Sequence, residues 1–194
     1  MTLCRLAALL IAALPLLLFT PESEAQRVKA RPSVSVFFSP EVATTRLLGA
    51  PQAQSSWSFG GHLRQGIVFG PMVTWLRVGG DAWLTYQEGP PLQRGLRGFN
   101  TGVGLGLQHR FSVLRVAGFA EYNAVNLAGN PLHNSLGERT LFHTLGGGAA
   151  LALTSFSPLF VELRGSAHHW FGTAHATQSV QVLLSIGVEA RLRR

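Results

Sequence analysis

The chain contains one cysteine, Cys4, and one lysine, Lys29. A lone cysteine so close to the start excludes a disulfide framework and leaves the rest of the chain without thiol chemistry. Charged residues are scarce as well, 13% of 194 residues against about 25% in an ordinary soluble protein. Hydrophobic residues make up 46%, yet past residue 25 no apolar run approaches the roughly 20 residues that a spanning helix needs. An apolar chain without such a run must place its side chains by another pattern.

What charge there is has one bias. Arginine supplies 15 of the 16 cationic residues, and the formal net charge is +7. These arginines are dispersed, half of them within apolar segments, and no basic run or recognition motif gathers them. That distribution does not give the footprint of a nucleic-acid-binding protein.

The N-terminus has the tripartite form of a secretory signal. Met1 to Arg5 is a short positive region, Leu6 to Phe19 is apolar, and Ser23-Glu24-Ala25 is a small-x-small cleavage site. The apolar part is short for a membrane anchor. Residues 1–25 are therefore expected to be a cleaved signal peptide and residues 26–194 the mature chain. Losing Arg5, Glu22 and Glu24 leaves a mature charge of about +8.

The C-terminal stretch reveals the pattern that replaces helices. Val180, Val182, Leu184, Ile186, Val188, Ala190 and Leu192 are apolar on one parity; of Gln181, Leu183, Ser185, Gly187, Glu189, Arg191 and Arg193 on the other, all but Leu183 are small or polar. Side chains alternate between the faces of a strand, so this strand has one greasy and one polar face. The same alternation recurs upstream in segments near residues 33–39, 57–69, 73–86, 99–110, 114–125, 140–154 and 159–170. Gln65 breaks the apolar parity of its segment.

The connections sort by length. Those after the first, third, fifth and seventh strands are about seven to seventeen residues, and those after the second, fourth and sixth about two to four. A membrane barrel has this arrangement, with long extracellular loops and short periplasmic turns. Aromatics on the greasy parity cluster towards strand ends. Trp57, Phe59, Tyr86, Phe99 and Tyr122, with Phe38, are expected at the long-loop ends, and Phe69 and Phe111 at the short-turn ends. Rings prefer the two membrane interfaces. A secreted lipocalin-like barrel would instead hide the large apolar face inside, leaving the charged parity in water.

In its eight alternating segments, loop sorting and signal, the chain resembles the small eight-stranded outer-membrane barrels of the OmpA/OmpX type. The resemblance is one of pattern over nearly all of the mature chain. It implies an all-β fold, a closed eight-stranded antiparallel up-and-down transmembrane barrel in the bacterial outer membrane, inserted by the barrel-assembly machinery. Such barrels commonly end on an aromatic residue, whereas this chain ends Leu192-Arg193-Arg194.

An eight-stranded lumen is just wide enough to be filled by side chains. The inward parity supplies Arg64, Arg77, Asp81, Arg115, Glu121, Glu162, Arg164, Glu189 and Arg191. Isolated buried charges cost several kcal/mol each, so these are expected to pair into a salt-bridged plug, with Glu162, Arg164, Glu189 and Arg191 forming one cluster. Outside the lumen, Arg46, Arg94, Arg97 and Arg139 are expected in long loops, where guanidinium groups suit phosphate. The partners implied are outer-membrane lipid and lipopolysaccharide; no nucleic acid is expected, and the barrel is read as a monomer.

Two kinds of chemistry compete with this role. Ser166 and His168 lie two apart on the inward face, and Glu121 could orient a histidine, the parts of an activated hydroxyl. The outer-membrane lipid A deacylases and acyltransferases use a Ser and a His at the outer rim, but the His-x-Ser-Asn signature of the deacylase is missing here. His143, His168, His169 and His175 gather towards one end, but His168 and His169 point to opposite faces. The expectation is a structural or surface-interaction barrel without catalytic residue, metal or cofactor. A lipid A-modifying acyl hydrolase or acyltransferase is the alternative.

Overall fold

The computed structural model describes residues 33–48, 56–85, 93–128, 140–155, 158–173 and 177–192. The segment read as a signal peptide, with Tyr86, Arg139 and His175, lies outside them. Eight strands follow one another in chain order: β1 (Val34–Leu48), β2 (Ser56–Phe69), β3 (Met72–Thr85), β4 (Gln93–Phe111), β5 (Leu114–Ala128), β6 (Leu141–Leu153), β7 (Leu159–Phe171) and β8 (Thr177–Arg191). Each pairs antiparallel with the next, and β1 pairs with β8 to close the barrel. Closure removes both sheet edges, so every strand has two hydrogen-bonded neighbours, as a backbone in hydrocarbon requires.

Parity becomes position. On β8, Ile186 is 59% exposed and Leu184 48%, while Leu183 and Ser185 on the other parity are buried. The exposed side chains of β1 to β8 are dominated by Leu, Val, Ile and Phe. A band of this kind around a whole barrel is stable only against lipid. On β2 the rings of Phe59 and Phe69 are both outward and exposed. At about 2.5 Å of height per residue in a tilted strand, they stand roughly 25 Å apart, the height of the apolar band in such barrels. Phe99, Tyr122 and Phe111 are likewise exposed, and Trp57 is half-exposed.

Two strands run further than the sequence suggests. The segment from Pro40 was expected to be loop, and Arg94 and Arg97 were expected in another. Instead β1 continues to Leu48 and β4 begins at Gln93, so Arg46, Arg94 and Arg97 all lie in strands. Phe38 consequently sits well inside β1, opposite Gln65 and Val188, rather than at the long-loop end. Pro40 is tolerated because it stays paired with Leu63 of β2 while the pairing of β1 with β8 lapses at Ser39 and Pro40. Its missing N–H therefore breaks no ladder bond that the fold uses.

Short turns close β2 to β3 and β4 to β5. Gly70 supplies a positive φ of 57° in the first; Ser112 adopts 50° in the second, a conformation that non-glycine residues rarely hold.

Candidate functional site

The inward parity meets in a lumen with three layers. At the long-loop end Leu47, Val125, Leu127, Phe142 and Trp170 form a buried apolar cluster. Towards the short-turn end lies a second, of Phe37, Val68, Val73, Trp75 and Phe160, with Phe119 packed against it. Small residues on neighbouring strands make room for these rings. A Cβ on Gly104 would overlap the indole of Trp75, and one on Gly66 would overlap Phe37.

Between and beside the clusters runs a charged network. Arg164 donates to Glu41 Oε1 at 3.2 Å and to Glu121 Oε2 at 2.9 Å. Arg64 pairs with Glu41 through Nε at 2.7 Å and with Glu162 through Nη2 at 2.5 Å. Arg115 spans Glu162 at 3.3 Å and Glu189 at 2.6 Å. Arg77 lies 3.7 Å from Glu121 and donates to Asn123 at 2.9 Å and to Gln181 at 3.0 Å. His62 sits 3.3 Å from Asp81. A charge this deep is retained only if it is paired and hydrogen-bonded.

The guanidinium groups also lie over rings. Arg64 is 5.0 Å from the Phe37 centroid and 5.7 Å from that of Trp75. Arg164 is 5.2 Å from Trp75 and 4.9 Å from Phe119, and Arg115 is 4.8 Å from Phe160. Aromatic faces carry negative charge density, so each ring supplies part of the solvation that a buried cation has lost.

Of the expected lumen residues, Arg64, Arg77, Asp81, Arg115, Glu121, Glu162 and Arg164 are buried together, and Glu189 joins them through Arg115. Arg191 does not. It is exposed at the short-turn end, and no ion pair reaches it among the described residues. The expected four-residue cluster of β7 and β8 therefore does not form: Glu162 turns to Arg64 and Arg115, and Arg164 to β1 and β5. Glu41, read as loop in the sequence, is a missed member. Its signal was the continued alternation Val36, Phe38, Pro40, Val42 on the other parity, which Pro40 obscured.

The Ser166 hydroxyl is 2.9 Å from Nε2 of His168, and Glu121 Oε1 is 3.1 Å from the same nitrogen. Asn123 Nδ2 is 3.4 Å from Nδ1. In an activated serine the hydroxyl and the orienting carboxylate take opposite nitrogens of the imidazole. Here they share one, and all three side chains are buried beneath the layer of Trp170 and Phe142. The constellation suits a hydrogen-bonded strut.

On the outer surface, His143 Nδ1 lies 2.5 Å from the Tyr122 hydroxyl, with the two rings stacked. His169 faces out beside Phe171. Among the described residues no three His, Cys, Asp or Glu side chains are grouped to hold a metal ion.

The lumen is closely filled. Two cavities within it measure about 20 Å³ each, room for about one water molecule.

No family profile and no curated protein sequence matches the chain. Solved structures do. Neisserial surface protein A (NspA) has a TM-score of 0.54 at 9% identity, covering 79% of this chain and 96% of its own. Ail, the attachment invasion locus protein of Yersinia pestis, has 0.51 at 13%, covering 80% and 98%. This is the fold of the small eight-stranded outer-membrane β-barrels. With its apolar outer band it is the fold of a protein of the bacterial outer membrane. The outer membrane enzyme PagL has a TM-score of 0.47 at 12% identity, covering 76% of this chain and 98% of its own, a likeness too slight to bear on chemistry.

Proposed function

We propose that this outer-membrane barrel has a structural or surface-interaction role, contacting lipopolysaccharide or another surface through arginines at its long-loop end. The lumen is a plug, and the chain has no enzymatic activity. It is made with a cleaved signal peptide over residues 1–25, inserted by the barrel-assembly machinery, and works as a monomer. The observation that carries the reading is the filled interior, in which four arginines and four glutamates are joined by ion pairs from strand to strand. Such an interior serves rigidity, so the surface is left to do the interacting.

At the rim, Arg46 is exposed and lies 5.3 Å over the Trp57 ring. A guanidinium held over an indole at this distance can still offer N–H groups to a phosphate. Titrating the purified barrel with lipopolysaccharide, intact and enzymatically dephosphorylated, tests this. Tighter binding of the phosphorylated form, weakened in Arg46→Gln, is expected. Equal binding of both forms would remove the phosphate from the reading.

The 2.9 Å contact of Ser166 with His168 is what a lipid A-modifying hydrolase or acyltransferase would rest on. The shared imidazole nitrogen and the apolar layer above it oppose that alternative. An acyl chain would have to displace Trp170 to reach the hydroxyl.

A further inference from the structure

The two ends of the lumen differ. The long-loop end is closed by Leu47, Leu127, Phe142 and Trp170. The short-turn end opens into a vestibule of about 770 Å³, lined on its inner side by Arg110, Arg191, Thr154, Glu189 and an apolar wall at Phe160. A cup closed at one end does not conduct. Its volume is that of a small-molecule site, roughly 300–1,000 Å³.

Charge decides what the cup would hold. The other described inward arginines are each committed to a carboxylate. Arg110 and Arg191, also on inward parity, have no ion pair among the described residues. Arg110 gives one bond from Nη2, to Thr154 Oγ1 at 3.0 Å. The carboxylate nearest to hand, Glu189, is already engaged at both oxygens: Oε2 accepts from Arg115 at 2.6 Å and Oε1 from Ser35 at 2.7 Å. The lining therefore carries two uncommitted cations beside a neutralised anion. Guanidinium groups flanking an apolar wall match an oxyanion joined to a small organic body.

We propose that the short-turn vestibule is a binding site for a small soluble molecule bearing a carboxylate or phosphate group, entering from the periplasmic side and held between Arg110 and Arg191. Ligand exchange leaves the lumen network intact, because Glu189, which lines the vestibule, stays paired with Arg115. The proposal is independent of any contact at the long-loop end.

The test is a titration of the ¹⁵N-labelled protein, folded in an uncharged maltoside detergent, with inorganic phosphate and with N-acetyl-alanyl-alanine. Saturable amide shifts are expected at Arg110, Glu189 and Arg191 and not at Ala43 or Thr45, far from the vestibule. One of the two probes binding more tightly identifies the group preferred. Arg110→Gln and Arg191→Gln should each weaken binding roughly tenfold or more, as loss of a charged hydrogen bond does; Arg46→Gln should not. Heat-modifiable migration of each variant establishes that the barrel is still folded. The site is refuted if neither probe gives saturable shifts, or if the double variant Arg110→Gln/Arg191→Gln binds as tightly as the parent.

Discussion

Arg164 on β7 reaches Glu41 on β1 at 3.2 Å, two strands that are not neighbours in the sheet. The contact skips over β8 instead of running along a ladder, and it braces the closing seam of the barrel from inside the lumen. Arg164 also holds Glu121 on β5 at 2.9 Å, so one guanidinium braces three strands.

Removing that group should leave two carboxylates short of a partner in the interior. Breaking a buried pair costs roughly 3–5 kcal/mol, an exposed one at most about 1. Arg164→Ala is expected to lower the unfolding free energy by about that larger amount in urea titrations of the lipid-reconstituted barrel. Arg46→Ala and Arg191→Ala, both exposed, should stay within about 1 kcal/mol. Equal losses from Arg164→Ala and Arg191→Ala would mean that the network does not carry the stability assigned to it.

A second expectation concerns Ser166. With its hydroxyl and the Glu121 carboxylate on the same nitrogen of His168, no base is set to activate it. Lipid A from cells producing the parent, Ser166→Ala or His168→Ala should have the same acyl pattern by mass spectrometry as lipid A from cells without the protein. A missing or transferred acyl chain that depended on either residue would establish the enzymatic alternative.

Conduction offers a third test. The lumen has water-sized cavities of about 20 Å³ and a closed apolar end, so the parent should give no steady single-channel conductance in planar bilayers. Trp170→Ala in the apolar end opens space without touching an ion pair, and should still conduct little, because the charged layer beneath remains. Steady currents through the parent would mean that the lumen holds a continuous water path.

The fold was legible because the parity of a membrane strand is written in composition: lipid wants Leu, Val and Ile where the lumen wants Arg, Glu, Gly and Ser. The β8 alternation alone carried most of it. The extents of β1 and β4 were not legible, because Pro40 and the glycine- and arginine-rich start of β4 look like loop when read locally. Tertiary pairing overrides that local preference. Pairing partners were not legible either. Arg164 and Glu162 are adjacent on one face of β7, but their partners come from strands across the lumen, and periodicity along one strand says nothing about reach across a barrel. The aromatic layer was partly visible as Trp75, Phe119 and Phe160 on inward parity, yet nothing in the sequence says that these rings lie over guanidinium groups.

The last expectation settles the residue that broke the sequence pattern. Gln65 faces outward and is exposed, with Leu63 and Ile67 beside it on β2 and Phe38 and Leu76 across the ladders. It lies four residues from Phe69 and six from Phe59, about 10 and 15 Å of height at roughly 2.5 Å per residue, and so near the middle of the apolar band. Its amide has no hydrogen bond among the described residues, whereas Thr74, also outward, satisfies its hydroxyl on Gly104 O at 3.1 Å. An amide placed in an apolar medium without a partner costs about 0.5–2 kcal/mol on scales that allow partial compensation. Gln65→Leu should therefore stabilise the reconstituted barrel by about 1 kcal/mol in urea unfolding, and Gln65→Glu should destabilise it by more than Gln65→Leu gains. A Gln65→Leu variant less stable than the parent would show that the amide is satisfied in the membrane by a group outside this chain, and that the lipid-facing surface at β1 to β3 is a contact surface.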